Sequence, residues 1–461
     1  MLRSMRRRFS SSVMPPMTNM AANRAAPGLR IASGSGIRVK DAGGNEYIEA
    51  MSGLWCCGLG WGNEELVAAS AEQMKTLSFY HGFTGRQTDA SEALADALMA
   101  KAPARLQGGK VFFGQSGSDA NDTQVRLLWL KAHLEGREGK KKFISRNRGY
   151  HGVTVASGSL TGLPYVHKSA GLPLDSVLST HVTCPSFYRE GRAGETEAAF
   201  VDRLAAELDR AIVEAGPDSV AAFIAEPMQG AGGVVVPPPG YHEATRRICD
   251  KYDVAIVGDE VITGFGRTGA FWGCEKFGQE PDMMSAAKMI TMGYLPLSAT
   301  LVPPKLADLI EQNTALFGHG YTYSGHPVAC ALALKVLEIL DRDALVERVA
   351  GVLGPHFEKR LAGLSGHSLV GEARGAGLIG GVELVADKET KRPFDASQGV
   401  GAKVVAHALK RGLIVRALAG DVVALCPPLI STLSDIDDIF GRLGEALDAT
   451  ANDLAAARAK S

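Results

Sequence analysis

The chain has 461 residues, 46% of them hydrophobic, which is enough to bury a large core in two or more domains. Lys and Arg total 49 against 50 Asp and Glu, so the basic surplus of a nucleic-acid binder is absent and no nucleic-acid partner is expected. No apolar run reaches the roughly 18–20 residues of a membrane span, and the seven cysteines lack any C-x-x-C pair, as suits reduced thiols in a reducing compartment.

Residues 1–27 stand apart. They carry Arg3, Arg6, Arg7, Arg8 and Arg24 with no acid, and the first acid of the chain is Asp41. Arginine-rich, serine-rich, acid-free N-termini mark organelle transit peptides. A mitochondrial location is expected, with the cytoplasm as the alternative if the segment is only a tail or if Met14, Met17 or Met20 is the true start.

Alternation in GIRVKDAGGNEYIEA predicts a hairpin turning at Gly43-Gly44. Asn63 is placed to cap a helix through ELVAASAEQMKTL, and SEALADALMAKA has a second helical period. The strand KVFFGQ precedes the helix DANDTQVRLLWLKAHLEG, on which Val125, Leu128, Trp129 and Ala132 share a face. KKFISR, VAAFIAEP and VAIVGDE read as further strands; FVDRLAAELDRAIVEAG, YHEATRRICDKY and HPVACALALKVLEIL read as helices. Such alternation implies βαβ units and a parallel sheet, hence an α/β chain. After about residue 345 the order becomes helix, strand GLIGGVEL, helix, strand VVALCPPL and helix, which suits a smaller α+β domain. The expected division is 28–70 as the N-terminal part of the small domain, 71–330 as the large domain and 331–461 as the rest of the small domain.

Lys288 lies in SAAKMITMGYLP, among small and apolar neighbours rather than the usual solvated ones. Desolvation there lowers an amine's pKa and makes it a better nucleophile. Asp259 ends the apolar strand VAIVGDE, where open α/β sheets place ligands. A solvated strand-end acid fits that position as well. Glu260 competes for the role, because neighbouring strand residues face opposite ways. An amine that forms a Schiff base and a carboxylate that keeps a pyridine nitrogen protonated together suit pyridoxal phosphate chemistry.

GFGRTG at 264–269 matches G-x-G-x-x-G and raises an NAD-dependent dehydrogenase as the rival, but no helical period follows it. GQSGSDANDT follows a strand and opens a helix; its Gly117 and Ser118 suit either a phosphate or a plain helix cap. Tyr150 in NRGYHG and Trp55 in SGLWCCG are aromatics for a pocket or for the core. Arg416 in GLIVRALAGD suits a substrate carboxylate or a structural salt bridge. No metal site is assigned.

Taken together, SGLW, FYHGF, SGSDANDT, YHG, FIAEP, GAGGV, DEVITGFGRTG, PDMMSAAK, GYLP, YTYSGHPVACA and VRALAGD resemble the class III, or ω-, aminotransferases of fold-type I pyridoxal-phosphate enzymes. The resemblance spans about residues 30–455, and it is strongest to plant-type 4-aminobutyrate:pyruvate and bacterial amine:pyruvate transaminases. It implies a large domain with a mixed, mostly parallel sheet and a small α+β domain. Lys288 would bind the cofactor aldehyde covalently and move the proton, and Asp259 would pair with the pyridine nitrogen. Tyr150 and Val261 would cover the two ring faces. Gly117 and Ser118 would hold the phosphate, with Thr322 reaching in from a second subunit of a homodimer with shared active sites. Trp55 would shape the pocket, and Arg416 would bind the keto-acid carboxylate and swing aside for amines. Gln115, Asp119 and Thr263 depart from the usual Asn, Glu and Cys. The implied reaction moves an amino group from an amine donor, 4-aminobutyrate first and β-alanine or a general amine as the alternative, to pyruvate or glyoxylate.

Overall fold

A computed structural model describes residues 12–459. Arg3, Arg6, Arg7 and Arg8 of the expected leader lie outside the described residues. The centre of the fold is a seven-stranded sheet in the order Lys110–Gly114, Ser298–Val302, Met283–Ala286, Ala255–Asp259, Val220–Ala225, Lys142–Arg146, Leu178–Val182. Only Ser298–Val302 runs against the others. Val220–Ala225 is buried along its whole length, as a strand covered on both faces must be. Three of the seven, Leu178–Val182, Met283–Ala286 and Ser298–Val302, were not expected from the sequence. They mix polar and small residues with the apolar ones, so no β-branched run announces them.

Two smaller sheets flank this one. The predicted hairpin forms from Arg38–Asp41 and Glu46–Glu49. Gly44 takes φ +90°, and Asp41 accepts from the N–H groups of Gly43 (2.8 Å) and Asn45 (2.9 Å). Ile31–Ser35 joins on one side, and Leu413–Ile414, from the far end of the chain, joins in parallel on the other. The second sheet is antiparallel, in the order Val370–Ala376, Ile379–Leu384, Val422–Leu425, Arg416–Leu418. Asn63 caps the helix Glu64–Thr76 as expected, accepting from Leu66 N at 3.1 Å. The helix Pro327–Arg342 packs on it and on Asp89–Ala100. Among the described residues, no helix is long and apolar enough to cross a membrane.

Candidate active site

Four parallel strands, Lys142–Arg146, Val220–Ala225, Ala255–Asp259 and Met283–Ala286, end at one edge of the large sheet. Ligands of open α/β sheets gather beyond such carboxyl ends. The segments that follow bring Tyr150, His151, Glu226, Asp259, Val261 and Lys288 around one cleft of about 430 Å³, with Gly117, Ser118 and Asn121 completing its wall. A separate depression of about 460 Å³, at the opposite ends of these strands, contains none of these residues.

Strand register decides between the two acids. Asp259 faces the cleft. Glu260 points away, fully buried, and accepts from Gly273 N (2.9 Å), Cys274 N (2.6 Å) and Thr263 Oγ1 (2.5 Å). Burial alone would raise the Asp259 carboxyl, but His151 Nδ1 (2.8 Å), Asn121 Nδ2 (2.9 Å) and Val261 N (3.1 Å) all donate to it and hold it below its ordinary value. A carboxylate has roughly four acceptor positions, so Asp259 keeps one toward the cleft.

Lys288 follows the strand Met283–Ala286 with φ +51°, a left-handed backbone that a non-glycine residue adopts at a cost. Burial pushes its amine below the ordinary lysine value, and the charge of Asp259 opposes that shift. Glu226 is buried behind Tyr150; it accepts from Tyr150 N (3.1 Å) and Gly230 N (2.8 Å), and burial raises its carboxyl. Arg146, also buried, donates to the Glu226 backbone oxygen at 2.5 Å.

The helix Gly117–Leu134 points its N-terminus at the cleft. Ser116 and Asp119 form a capping box, with Asp119 accepting from Gln115 N (2.9 Å) and Ser116 N (3.0 Å). The shorter acid at 119 therefore still closes the cap. The first N–H groups of a helix have no intrahelical acceptor, so those of Gly117 and Ser118 remain for an anion. A β-carbon at Gly117 would meet both methyls of Val261 at 2.9 Å, which explains the glycine.

The other expected residues lie outside the wall. Trp55 is buried behind it with Met51, Met228 and Ile262, while its neighbours Leu54 and Cys56 line the cleft. Thr322 is exposed. Arg416 is half-buried on the strand Arg416–Leu418, and no hydrogen bond or ion pair engages its guanidinium among the described residues. Its charge opposes the burial that raises the phenols of Tyr150 and Tyr165. The GFGRTG segment is a buried series of turns, and Arg267 within it donates to the backbone oxygens of Leu378 and Pro427. It is no dinucleotide loop.

Three residues of the site had no role from the sequence: His151, Asn121 and Glu226. Asn121 lies four residues after Gly117, on the same helix face, which is the one local signal. The contacts of His151 and Glu226 join separate strand ends, so nothing local announces them.

Glu49 pins the turn that presents Leu54, Trp55 and Cys56. It accepts from Met51 N (3.3 Å) and Gly53 N (2.7 Å), yet burial pushes its carboxyl up to about 7. The native state thus holds this proton more tightly than the unfolded chain does. The group's contribution to stability is fully present below about pH 4.5 and is lost as pH rises through about 7. Glu49→Gln is expected to stabilise the protein at pH 8 by about 2–3 kcal/mol, and by less at pH 5.5. Thermal melts of both proteins at both pH values check this; an equal gap at each pH would show that the buried charge is not the cause.

The residues present suit pyridoxal phosphate. Asp259 is an anion with an acceptor position left for a ring N–H, Lys288 is a desolvated amine, and a capped helix start has free N–H groups. Residues 20–447 match the family model Aminotransferase class-III. The chain is 43% identical, over 435 residues, to the "Probable gamma-aminobutyrate transaminase 3, mitochondrial" of Oryza sativa subsp. indica, covering 94% of this chain and 84% of that relative. It is 44% identical to the "Gamma aminobutyrate transaminase 3, chloroplastic" of Solanum lycopersicum, covering 92% and 81%. The solved omega transaminase of Pseudomonas jessenii in complex with PMP is similar with a TM-score of 0.92 at 45% identity, over 95% of this chain and 96% of that one. This chain belongs to the class III aminotransferases, and it is a pyridoxal-phosphate-dependent transaminase of fold type I.

Proposed function

We propose that the enzyme moves an amino group from an ω-amino acid or amine, 4-aminobutyrate first, to pyruvate or glyoxylate. The observation that carries this reading is the meeting of the Lys288 amine and the Asp259 carboxylate in one cleft, with the unpaired Arg416 nearby. The relatives named for 4-aminobutyrate support the choice of donor.

Pyridoxal phosphate, when bound, supplies a ring that accepts the electron pair left when a substrate C–H bond breaks. Asp259 would hold the proton on the ring nitrogen, since His151 and Asn121 keep Asp259 charged and fixed. Lys288 would hold the cofactor's aldehyde and would carry the proton that the chemistry moves. Gly117 and Ser118 would hold the phosphate with backbone N–H groups and the helix dipole. Tyr150 and Val261, which line the cleft, would cover the ring, while Trp55 supports the pocket from behind through Leu54 and Cys56. Thr322, exposed on its own chain, is assigned to the cleft of a second copy. The exposed Phe79, Tyr80, Phe83, Leu316 and Tyr323 support such a homodimer. The acid-free N-terminus and the mitochondrial label of the Oryza sativa relative support mitochondrial import, and the chloroplastic label of the Solanum lycopersicum relative supports organelle import in general.

A panel of 4-aminobutyrate, β-alanine, alanine and 1-phenylethylamine against pyruvate, glyoxylate and 2-oxoglutarate tests the substrate choice. Fastest turnover is expected with 4-aminobutyrate and pyruvate or glyoxylate. A preference for 2-oxoglutarate overturns the acceptor assignment, and a preference for β-alanine or 1-phenylethylamine overturns the donor.

Arg416→Ala is expected to separate the half-reactions. Pyruvate loses a charged, bidentate partner, on the order of 2–4 kcal/mol in a desolvated site. The half-reaction with 1-phenylethylamine, which has no carboxylate, should proceed at close to the wild-type rate. Spectral single turnovers of each half measure this, and equal damage to both would make Arg416 structural.

A further inference from the structure

Cys56 places a thiol at the wall of the catalytic cleft, and Cys57 sets a second one beside it. Of the seven cysteines, Cys184, Cys249, Cys274, Cys330 and Cys426 are buried, and only this pair is partly exposed. Cys56 lines the cleft, and the two sulfurs lie 4.0 Å apart. A β-carbon on Gly293 would meet both at 3.1 Å, so both sulfurs face the same glycine, itself part of the wall.

A second feature makes Cys56 the reactive member of the pair, while donation to Cys56 and burial hold the Cys57 thiol above its ordinary value. Arg267, fully buried, has no carboxylate partner among the described residues; it donates to the backbone oxygens of Leu378 (3.0 Å) and Pro427 (2.5 Å), to Ser52 Oγ (3.3 Å) and to Met289 Sδ (3.4 Å). A buried cation without a counter-ion favours an anion nearby. Donation from Cys57 draws the Cys56 thiol below its ordinary value against its burial, and the charge of Arg267 acts in the same direction. The thiolate is the nucleophilic form.

We propose that Cys56 and Cys57 form a bidentate site for soft thiol-seeking electrophiles, of which a mono-substituted trivalent arsenical is the type, and that a group held there blocks the cleft. An arsenoxide takes both thiols. Two As–S bonds form, the two S–H protons leave with the oxygen as water, and arsenic stays trivalent, so the step needs no oxidant or reductant. Closing the second bond within one site gives a gain of roughly 10²–10⁴ over a single thiol. The blocking rests on this cleft being the catalytic one; the binding does not.

The test treats holoenzyme with phenylarsine oxide and follows intact mass, peptide mapping and transaminase activity. Expected are one arsenic per chain on the peptide carrying both thiols, loss of activity, recovery with 2,3-dimercaptopropanol, and no recovery with 2-mercaptoethanol at equal thiol concentration. Cys57→Ser should need at least ~100-fold more arsenical for half-maximal labelling, and 2-mercaptoethanol should then remove the label. Cys330→Ser should behave as the parent. Arsenic on other cysteines, or a Cys57→Ser protein labelled like the parent, overturns the site. Label on the pair with full activity overturns the blocking alone. Mapping of the unmutated protein decides the site even where a variant fails to fold.

Discussion

Lys288→Ala is expected to abolish turnover while leaving the fold and cofactor binding intact. The loss should be at least ~10³-fold, because the substitution removes both the covalent anchor and the group that carries the proton. The lysine already sits at φ +51°, so alanine inherits the same backbone strain rather than adding to it. Its surroundings, Ala286, Ala287 and Met289, are buried and do not depend on the amine. Circular dichroism and thermal melts should match the parent, whereas single turnovers should fail with every amine. Methylamine in the buffer should restore part of the rate by standing in for the missing base. A variant with near-parental activity would remove Lys288 from the chemistry.

Asp259→Asn should slow proton abstraction by ~10²–10³-fold. A neutral amide cannot keep a ring nitrogen protonated, and its NH₂ group would confront donors that now converge on an acceptor. Those donors, His151, Asn121 and the Val261 N–H, are also why the carboxyl sits below its ordinary value. Protonation of Asp259 therefore should not set the acid limb of the pH–rate profile near neutrality. Single-turnover rates measured spectrally decide the matter; a fall of less than tenfold would refute the electron-sink role. Asn121→Ala and His151→Ala should each give smaller losses of the same kind, since each removes one of the donors that keep the charge in place.

The βαβ alternation, the hairpin at Gly43-Gly44, the Asn63 cap and the long helices are legible along the chain, because each depends on neighbours within a turn or two. Lys288 and Asp259, which meet in one cleft, also stand out locally: a lysine among alanines and an acid closing an apolar strand are departures from what those positions usually hold. Other facts belonged to tertiary structure. Whether Asp259 or Glu260 faces the cleft is a matter of register, set by pairing with the strands on either side. Asn121 and His151 reach Asp259 from 138 and 108 residues away, and Leu413–Ile414 closes a sheet begun near residue 31. The strands Met283–Ala286 and Ser298–Val302 exist because neighbours complete their hydrogen bonds, not because their residues favour extension. Trp55 sits behind the cleft wall, not in it, since the φ +67° turn at that residue directs it into the core that Met228 and Ile262 complete. Charge state, burial and side-chain direction are properties of assembled surfaces, so they appear only once distant segments have met.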